Sequence, residues 1–223
     1  MLGLLMRVNV SIRRTAKSLL RPLIFHYPPI SLQPERLQLW LRTLIETADV
    51  PGAIVEVGCS TGGTAAFSWK MLHNLKIVKP YICVDTFSGF VEDQFRHDLA
   101  LGNVASNRHK FSANSMTLTR NVLNQHGASG VELIQGDIIE LPPDRLPEII
   151  SAALLDVDLA LPIYAALKKV YPRLAPGGVI LVDDCPPDYD WQARQGYERF
   201  CHECGFVPRY AFDTGLLSRP LLL

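Results

Sequence analysis

Pro51-Gly-Ala-Ile-Val-Glu-Val-Gly-Cys-Ser-Thr-Gly-Gly63 decides how this chain folds. Within it, Ala53–Val57 is a short apolar run bounded by Pro51-Gly52 and by Gly58, the pattern of a strand buried in a parallel sheet. Residues 64–74 then read as a helix, and Tyr81-Ile-Cys-Val-Asp85 as a second apolar strand. Strand, glycine turn, helix and strand make a βαβ unit.

The alternation extends in both directions. Upstream, Leu37, Trp40, Leu41, Leu44 and Ile45 repeat at helical spacing after Pro34, which suits the first helical position because no N–H is needed there. Downstream come strands at 131–134 and 152–156, a helix over 162–174, and a strand over 178–183. A helix over 191–204 and two extended stretches, 206–212 and 216–219, complete the chain. This order predicts an α/β fold with a doubly wound, mostly parallel seven-stranded sheet covered by helices on both faces. Residues 87–127 are polar and lie between the second and third strands; a connection of that length is expected to form a lid or a wall of a substrate site.

Acids gather where these strands end. Glu56 and Gly58 close the first strand, Asp85 the second, Asp137 follows the third, Asp156 and Asp158 close the fourth, and Asp183-Asp184 the fifth. Ligands of open α/β sheets bind beyond the carboxyl ends of the strands, so these residues are expected to share one site. A nicotinamide dinucleotide would need the middle glycine of G-x-G-x-x-G for close approach to its pyrophosphate, and Ser60 stands there. S-adenosylmethionine has no phosphate but carries an amine, a ribose and a sulfonium, which call for small residues and acids. Glu56 beside the turn, Asp85 as a ribose acceptor and Asp137 near the adenine edge match that need. The candidate cofactor set is Glu56, Gly58, Ser60, Thr61, Gly62, Asp85, Thr86, Ser88, Asp137, Ile138 and Asp156.

Asp156, Asp183 and Asp184 end neighbouring strands with no basic partner visible in sequence, and three such carboxylates would raise one another's pKa unless a cation sits among them. Oxygen-only ligands favour Mg²⁺ or Ca²⁺, and Mg²⁺ keeps positions open for substrate. Transfer of a methyl group to a hydroxyl then needs a base; His97, Asp158 and His109 are the candidates.

The 223 residues are 48% hydrophobic and 20% charged, which excludes a disordered chain. With 22 basic and 22 acidic residues there is no global field for nucleic acid. Residues 1–34 hold Arg7, Arg13, Arg14, Lys17 and Arg21 and no acid, so they are set apart as a basic arm from a domain over 35–223. Charges and prolines prevent the arm from spanning a bilayer or serving as a secretory signal. It is expected to pack on the domain or on a second copy in a homo-oligomer, with weak contact to anionic lipid as the alternative. Five cysteines without an export signal point to a reducing cytoplasm. Cys201-His-Glu-Cys204 lacks a second ligand pair for zinc, and Tyr197, Phe200, Cys201 and Cys204 instead share a helix face ending at Gly205.

Three segments carry a resemblance: Val84-Asp-Thr-Phe-Ser-Gly89, Leu155-Asp-Val-Asp-Leu159 and Tyr171-Pro-Arg-Leu-Ala-Pro-Gly-Gly-Val-Ile-Leu-Val-Asp-Asp184. Over approximately residues 50–215 the chain resembles the macrocin O-methyltransferase family, which methylates sugar hydroxyls of natural products. The resemblance implies the class I methyltransferase sheet, S-adenosylmethionine with Mg²⁺, metal ligation by Asp156, Asp183 and Asp184, and a ribose held by Asp85. The acid trio also looks like that of catechol O-methyltransferases, but Leu159 stands where their catalytic lysine falls, which disfavours a catechol. Family members often read Asp-x-Asp-Leu-Tyr-Glu where this chain has Asp156-Val-Asp-Leu-Ala-Leu161, and Gly-Leu-Pro where it has Gly89-Phe-Val91. The expected function is Mg²⁺-assisted O-methylation of a sugar or polyhydroxylated small molecule. An inactive cofactor-binding module and an NAD-dependent oxidoreductase are the alternatives.

Overall fold

A computed structural model describes residues 27–221. The basic arm lies outside the described residues up to position 26, and the contacts expected of it lie outside with it. Helix α1 (Pro34–Glu46) starts on its proline and leads into β1 (Ala53–Val57). There follow α2 (Gly63–Asn74), β2 (Tyr81–Asp85), α3 (Glu92–Ala100), α4 (Met116–Gln125), β3 (Glu132–Gln135) and β4 (Ile150–Leu155). The last elements are α5 (Ala160–Val170), β5 (Leu174–Val182), α6 (Ala193–Cys204), β6 (Tyr210–Ala211) and β7 (Thr214–Ser218). No helix among the described residues is long and apolar enough to cross a membrane.

The strands form one seven-stranded sheet in the order β3-β2-β1-β4-β5-β7-β6. β7 pairs antiparallel with both β5 and β6, and every other pairing is parallel. The strand period of two divides the interior into two cores. Val55, Val57, Ala153, Leu155 and Val182 face α5 and α6, whereas Ile54, Cys83, Ala152 and Leu154 face Trp40, Ala65, Ala66 and Leu123 of α1, α2 and α4. β1 and β4 are buried along their whole length, as their continuous apolar runs require. Chain order reverses between them, which opens a crevice at their carboxyl ends.

Some boundaries differ from those read in the sequence, each for a local reason. The helix expected to reach 174 stops at Val170, because Pro172 offers no N–H and the chain tightens into a 3₁₀ turn, Tyr171–Arg173. β5 therefore begins at Leu174 and absorbs Ala175–Gly178 as a register shift, so that Ile150 pairs with Leu174 but Ala152 with Val179. The stretch 206–212 shrinks to the two residues of β6, since Pro208 cannot donate to a ladder. Phe212 and Asp213, at φ 50° and 59°, then make the two-residue turn into β7. On α6, Tyr197, Phe200 and Cys201 are buried as expected, but Cys204 is exposed at the last turn, before the left-handed Gly205.

Candidate active site

The crevice is built around Gly58. A Cβ at this residue would stand 1.8 Å from the carbonyl oxygen of Asp156, so only glycine lets the end of β1 pass the end of β4 this closely. The N–H of Gly58 donates to Val84 O at 2.8 Å and that of Asp156 to Val57 O at 2.8 Å, which brings the ends of β2, β1 and β4 together. Beyond it the loop turns through Ser60 and Gly62, both left-handed, into α2. The Ser60 carbonyl accepts bonds from Asn114 Nδ2 and Thr119 Oγ1, each at 2.8 Å.

On the β2 side, Asp85 accepts the N–H of Ser60 at 2.8 Å on one oxygen and that of Phe87 at 2.7 Å on the other. Asp85 also lines the crevice, where a two-oxygen acceptor suits two neighbouring hydroxyls. Burial pushes the Asp85 carboxyl up, and the N–H bonds oppose the shift. Asp137 accepts the N–H of Ile139 at 2.9 Å and the amide of Gln94, on α3, at 2.6 Å. Thr86, Gly136, Asp137 and Ile138 line the same crevice. The acceptor set and the glycine-edged floor thus fit a nucleoside with an attached amino acid.

On the other side of Gly58 lie four carboxylates. Oxygens of Asp156, Asp158 and Asp184 all lie within 4.8 Å of one another, so the metal-sized set contains Asp158 where the sequence had pointed to Asp183; its all-oxygen chemistry is that of a hard divalent cation. Asp158 and Asp184 hold left-handed backbone at φ 60° and 54°, a strain that tends to collect at functional sites. Burial, then the charges of Asp183, Asp158 and Asp184, push the Asp156 carboxyl well up; burial and Asp184 do the same to Asp158. Asp183 is pushed up to about 6 by burial and by Asp184.

The absence of a basic partner, which had favoured a metal on sequence grounds, does not hold. Arg36 of α1 reaches into the cluster, its Nη1 lying 3.2 Å from Asp183 Oδ1 and 2.6 Å from Asp184 Oδ1. Burial alone would lower the guanidinium pKa, but the two carboxylates outweigh it and raise it.

The segment 87–127 supplies a wall. Phe90 packs against Phe95, Phe111 and Trp191 with ring centroids 5.5–5.8 Å apart, and Lys110 Nζ stands 4.9 Å from the Trp191 ring. Phe90, Lys110, Phe111, Tyr189 and Trp191 all face the crevice.

Of the residues singled out in the sequence, Gly58, Ser60, Asp85, Thr86, Asp137, Ile138, Asp156, Asp158, Asp183 and Asp184 line this one crevice. Glu56 lies behind it, fully buried and accepting the Tyr81 hydroxyl at 2.7 Å. Thr61 and Gly62 belong to the turn and do not line it, and Ser88 is exposed. His97 stands outside, 43% exposed with its Nδ1 3.6 Å from Asp98, and His109 is exposed. The Cys201/Cys204 pair belongs to no metal-sized cluster among the described residues.

The family profile for macrocin O-methyltransferase (TylF) matches residues 34–204. The chain belongs to the macrocin O-methyltransferase family. The protein is accordingly an O-methyltransferase. Among solved structures, the O-methyltransferase NovP is similar at 20% identity and TM-score 0.71, over 83% of this chain and 80% of that one. The calicheamicin methyltransferase CalS11 is similar at 21% and 0.66, over 82% and 78%. TomG from Streptomyces achromogenes, solved with S-adenosylmethionine, is similar at 13% and 0.51, over 92% and 88%. At these identities the likeness shows the class I methyltransferase fold. No curated protein matches the chain.

In this macrocin O-methyltransferase family member, sequence reading missed Arg36, Lys110, Trp191 and Asp98. Asp98, fully buried on α3, accepts the N–H of Ala160 with both oxygens at 3.2 Å and so caps α5, whose own N-cap residue, Leu159, has no side-chain acceptor. One of the four left a trace in sequence: Arg36 is a cation in the first turn of a helix, where the helix dipole disfavours it unless an external anion is present.

Proposed function

We propose that this enzyme transfers the methyl group of S-adenosylmethionine to a hydroxyl of a sugar or polyhydroxylated natural product, with Mg²⁺ held by Asp156, Asp183 and Asp184. The observation that carries the reading is the pairing, on either side of Gly58, of a crevice-lining carboxylate (Asp85) and a cluster of strand-end acids in which Asp156, Asp158 and Asp184 lie within 4.8 Å of one another and Asp183 lines the same crevice. CalS11, described as a TDP-rhamnose 3'-O-methyltransferase, supports a sugar as the acceptor class.

When bound, the sulfonium supplies an activated methyl group and the cation supplies charge that favours loss of a hydroxyl proton. Asp85 would hold the two ribose hydroxyls, and Asp137 and Ile138 would border the base. Asp158 takes the hydroxyl proton on a carboxylate oxygen. Burial and then Asp184 raise its pKa well above that of an exposed aspartate, so its ionised carboxylate is the stronger base. Phe90, Phe111 and Trp191 exclude water and offer flat faces to sugar C–H groups.

The test is transfer of radiolabel from S-adenosylmethionine to a panel of hydroxylated glycosides. Transfer that requires added Mg²⁺ and is abolished by EDTA and by Asp183→Ala supports the proposal. Transfer that survives both treatments refutes the metal, and binding of NAD without binding of S-adenosylmethionine refutes the donor.

A further inference from the structure

Arg36 occupies two of the three carboxylates that the proposed function gives to a cation. Its Nη1 is bonded to Oδ1 of both Asp183 and Asp184, and the three side chains are only 11%, 6% and 13% exposed. The pair is therefore shielded from water and from salt, and a buried guanidinium of this kind balances the charge of the carboxylates it touches. Asp156, Asp158 and Lys110 are the other charged groups facing this part of the crevice.

The helix carrying Arg36 is anchored on both sides of it. Before it, the Pro29 carbonyl lies so close to Gly63 that a Cβ there would approach it to 2.1 Å, and Leu32 is buried. After it, the fully buried Trp40 donates its indole N–H to Ser68 Oγ of α2 at 3.0 Å. The backbone at Arg36 is thus held against the cofactor loop, and the side chain is the part free to leave.

We infer that Arg36 is a resident counter-ion which a divalent cation must displace from Asp183 and Asp184. A cation such as Mg²⁺ needs the same carboxylate oxygens at about 2.0–2.1 Å, in near-octahedral order. A guanidinium hydrogen-bonded to those oxygens competes for their lone pairs and repels the incoming charge across a short, poorly screened distance. Metal affinity is set partly by how readily Arg36 leaves. This inference rests on the metal reading above and adds a residue to it.

Calorimetric titration of Mg²⁺, without methyl donor or acceptor, into the wild type, Arg36→Met and Arg36→Lys tests it. Removal of the charge should tighten Mg²⁺ binding by about tenfold, while lysine stays within about threefold of the wild type. Thermal unfolding of Arg36→Met should be depressed without metal and restored by saturating Mg²⁺, since either cation can balance the cluster. Equal or weaker Mg²⁺ binding by Arg36→Met overturns the inference, as does a variant that stays unfolded at saturating Mg²⁺. Failure of all three proteins to bind Mg²⁺ removes the metal from the proposed function, and this inference with it, whereas binding by the wild type alone defeats only the displacement.

Discussion

Gly58→Ala perturbs the point on which the whole site converges, and its cost can be worked from the geometry. At φ +87° an L residue occupies left-handed backbone, which costs about 1–2 kcal/mol, while the stiffer unfolded chain returns about 0.4–1 kcal/mol. That part alone is about 1 kcal/mol. Gly127→Ala isolates it, because Gly127 has φ +73° and no atom within 4 Å of an added Cβ. At Gly58 the new methyl also meets Asp156 O at 1.8 Å, the Asp156 carbonyl carbon at 2.5 Å and Val157 Cγ1 at 2.8 Å. A carbon–oxygen contact settles near about 3.3 Å, so β1 and β4 must part by roughly 1.5 Å where Val57 pairs with Leu155. Overpacking costs about 1–3 kcal/mol, and backbone against backbone lies at the upper end, giving a total of about 3–4 kcal/mol. For a domain of this size that lowers Tm by roughly 10 °C, against roughly 3 °C for Gly127→Ala. Urea and thermal unfolding of both variants, followed by two probes, measure the difference. If the two variants agree within about 0.5 kcal/mol, the close passage of β1 over Asp156 is not what holds this site together.

Asp85→Asn should weaken S-adenosylmethionine binding by about 10- to 100-fold, the worth of hydrogen bonds to a charged acceptor, and calorimetry with unchanged affinity would remove Asp85 from the donor site. Burial raises the Glu56 carboxyl to about 7 from 4.5, with the Tyr81 hydroxyl opposing and Asp85 adding to the shift. Its contribution to stability is thus complete below about pH 4.5 and is lost as pH rises through 7. The stability difference between the wild type and Glu56→Gln should accordingly fall by up to about 3 kcal/mol over that window, and a pH-independent difference in urea unfolding would show that Glu56 does not titrate there. Asp98→Ala uncaps α5 and should cost about 1–2 kcal/mol in the same assay; a neutral result would mean that water satisfies the Ala160 N–H.

What could be read in the chain follows from how local each signal is. β1 and β2 were legible to the residue because a buried parallel strand is a continuous apolar run and their ends carry a glycine or an acid. The strand-end acids could be assigned to one site by their positions in the sequence, since topology alone puts the carboxyl ends of parallel strands on one edge. Pro172 and Pro208 were visible too, but their effects on α5 and β6 depended on neighbours that the sequence does not name. Arg36 meets Asp183 and Asp184 across 147 and 148 positions, and Asp98 meets Ala160 across 62, so no spacing rule reaches them. The polar segment 87–127 was legible as a wall, but its aromatic contact with Trp191 arises only when α3 and the start of α6 fold over the same crevice.

Diffraction from crystals grown with S-adenosylmethionine and Mn²⁺, recorded at the manganese edge, tests the central claim most directly. The ribose hydroxyls are expected on Asp85 and an anomalous peak among Asp156, Asp183 and Asp184, with the Arg36 guanidinium withdrawn from both of the last two. A donor bound away from Asp85, or a crevice without manganese in which Arg36 keeps both carboxylates, would contradict it.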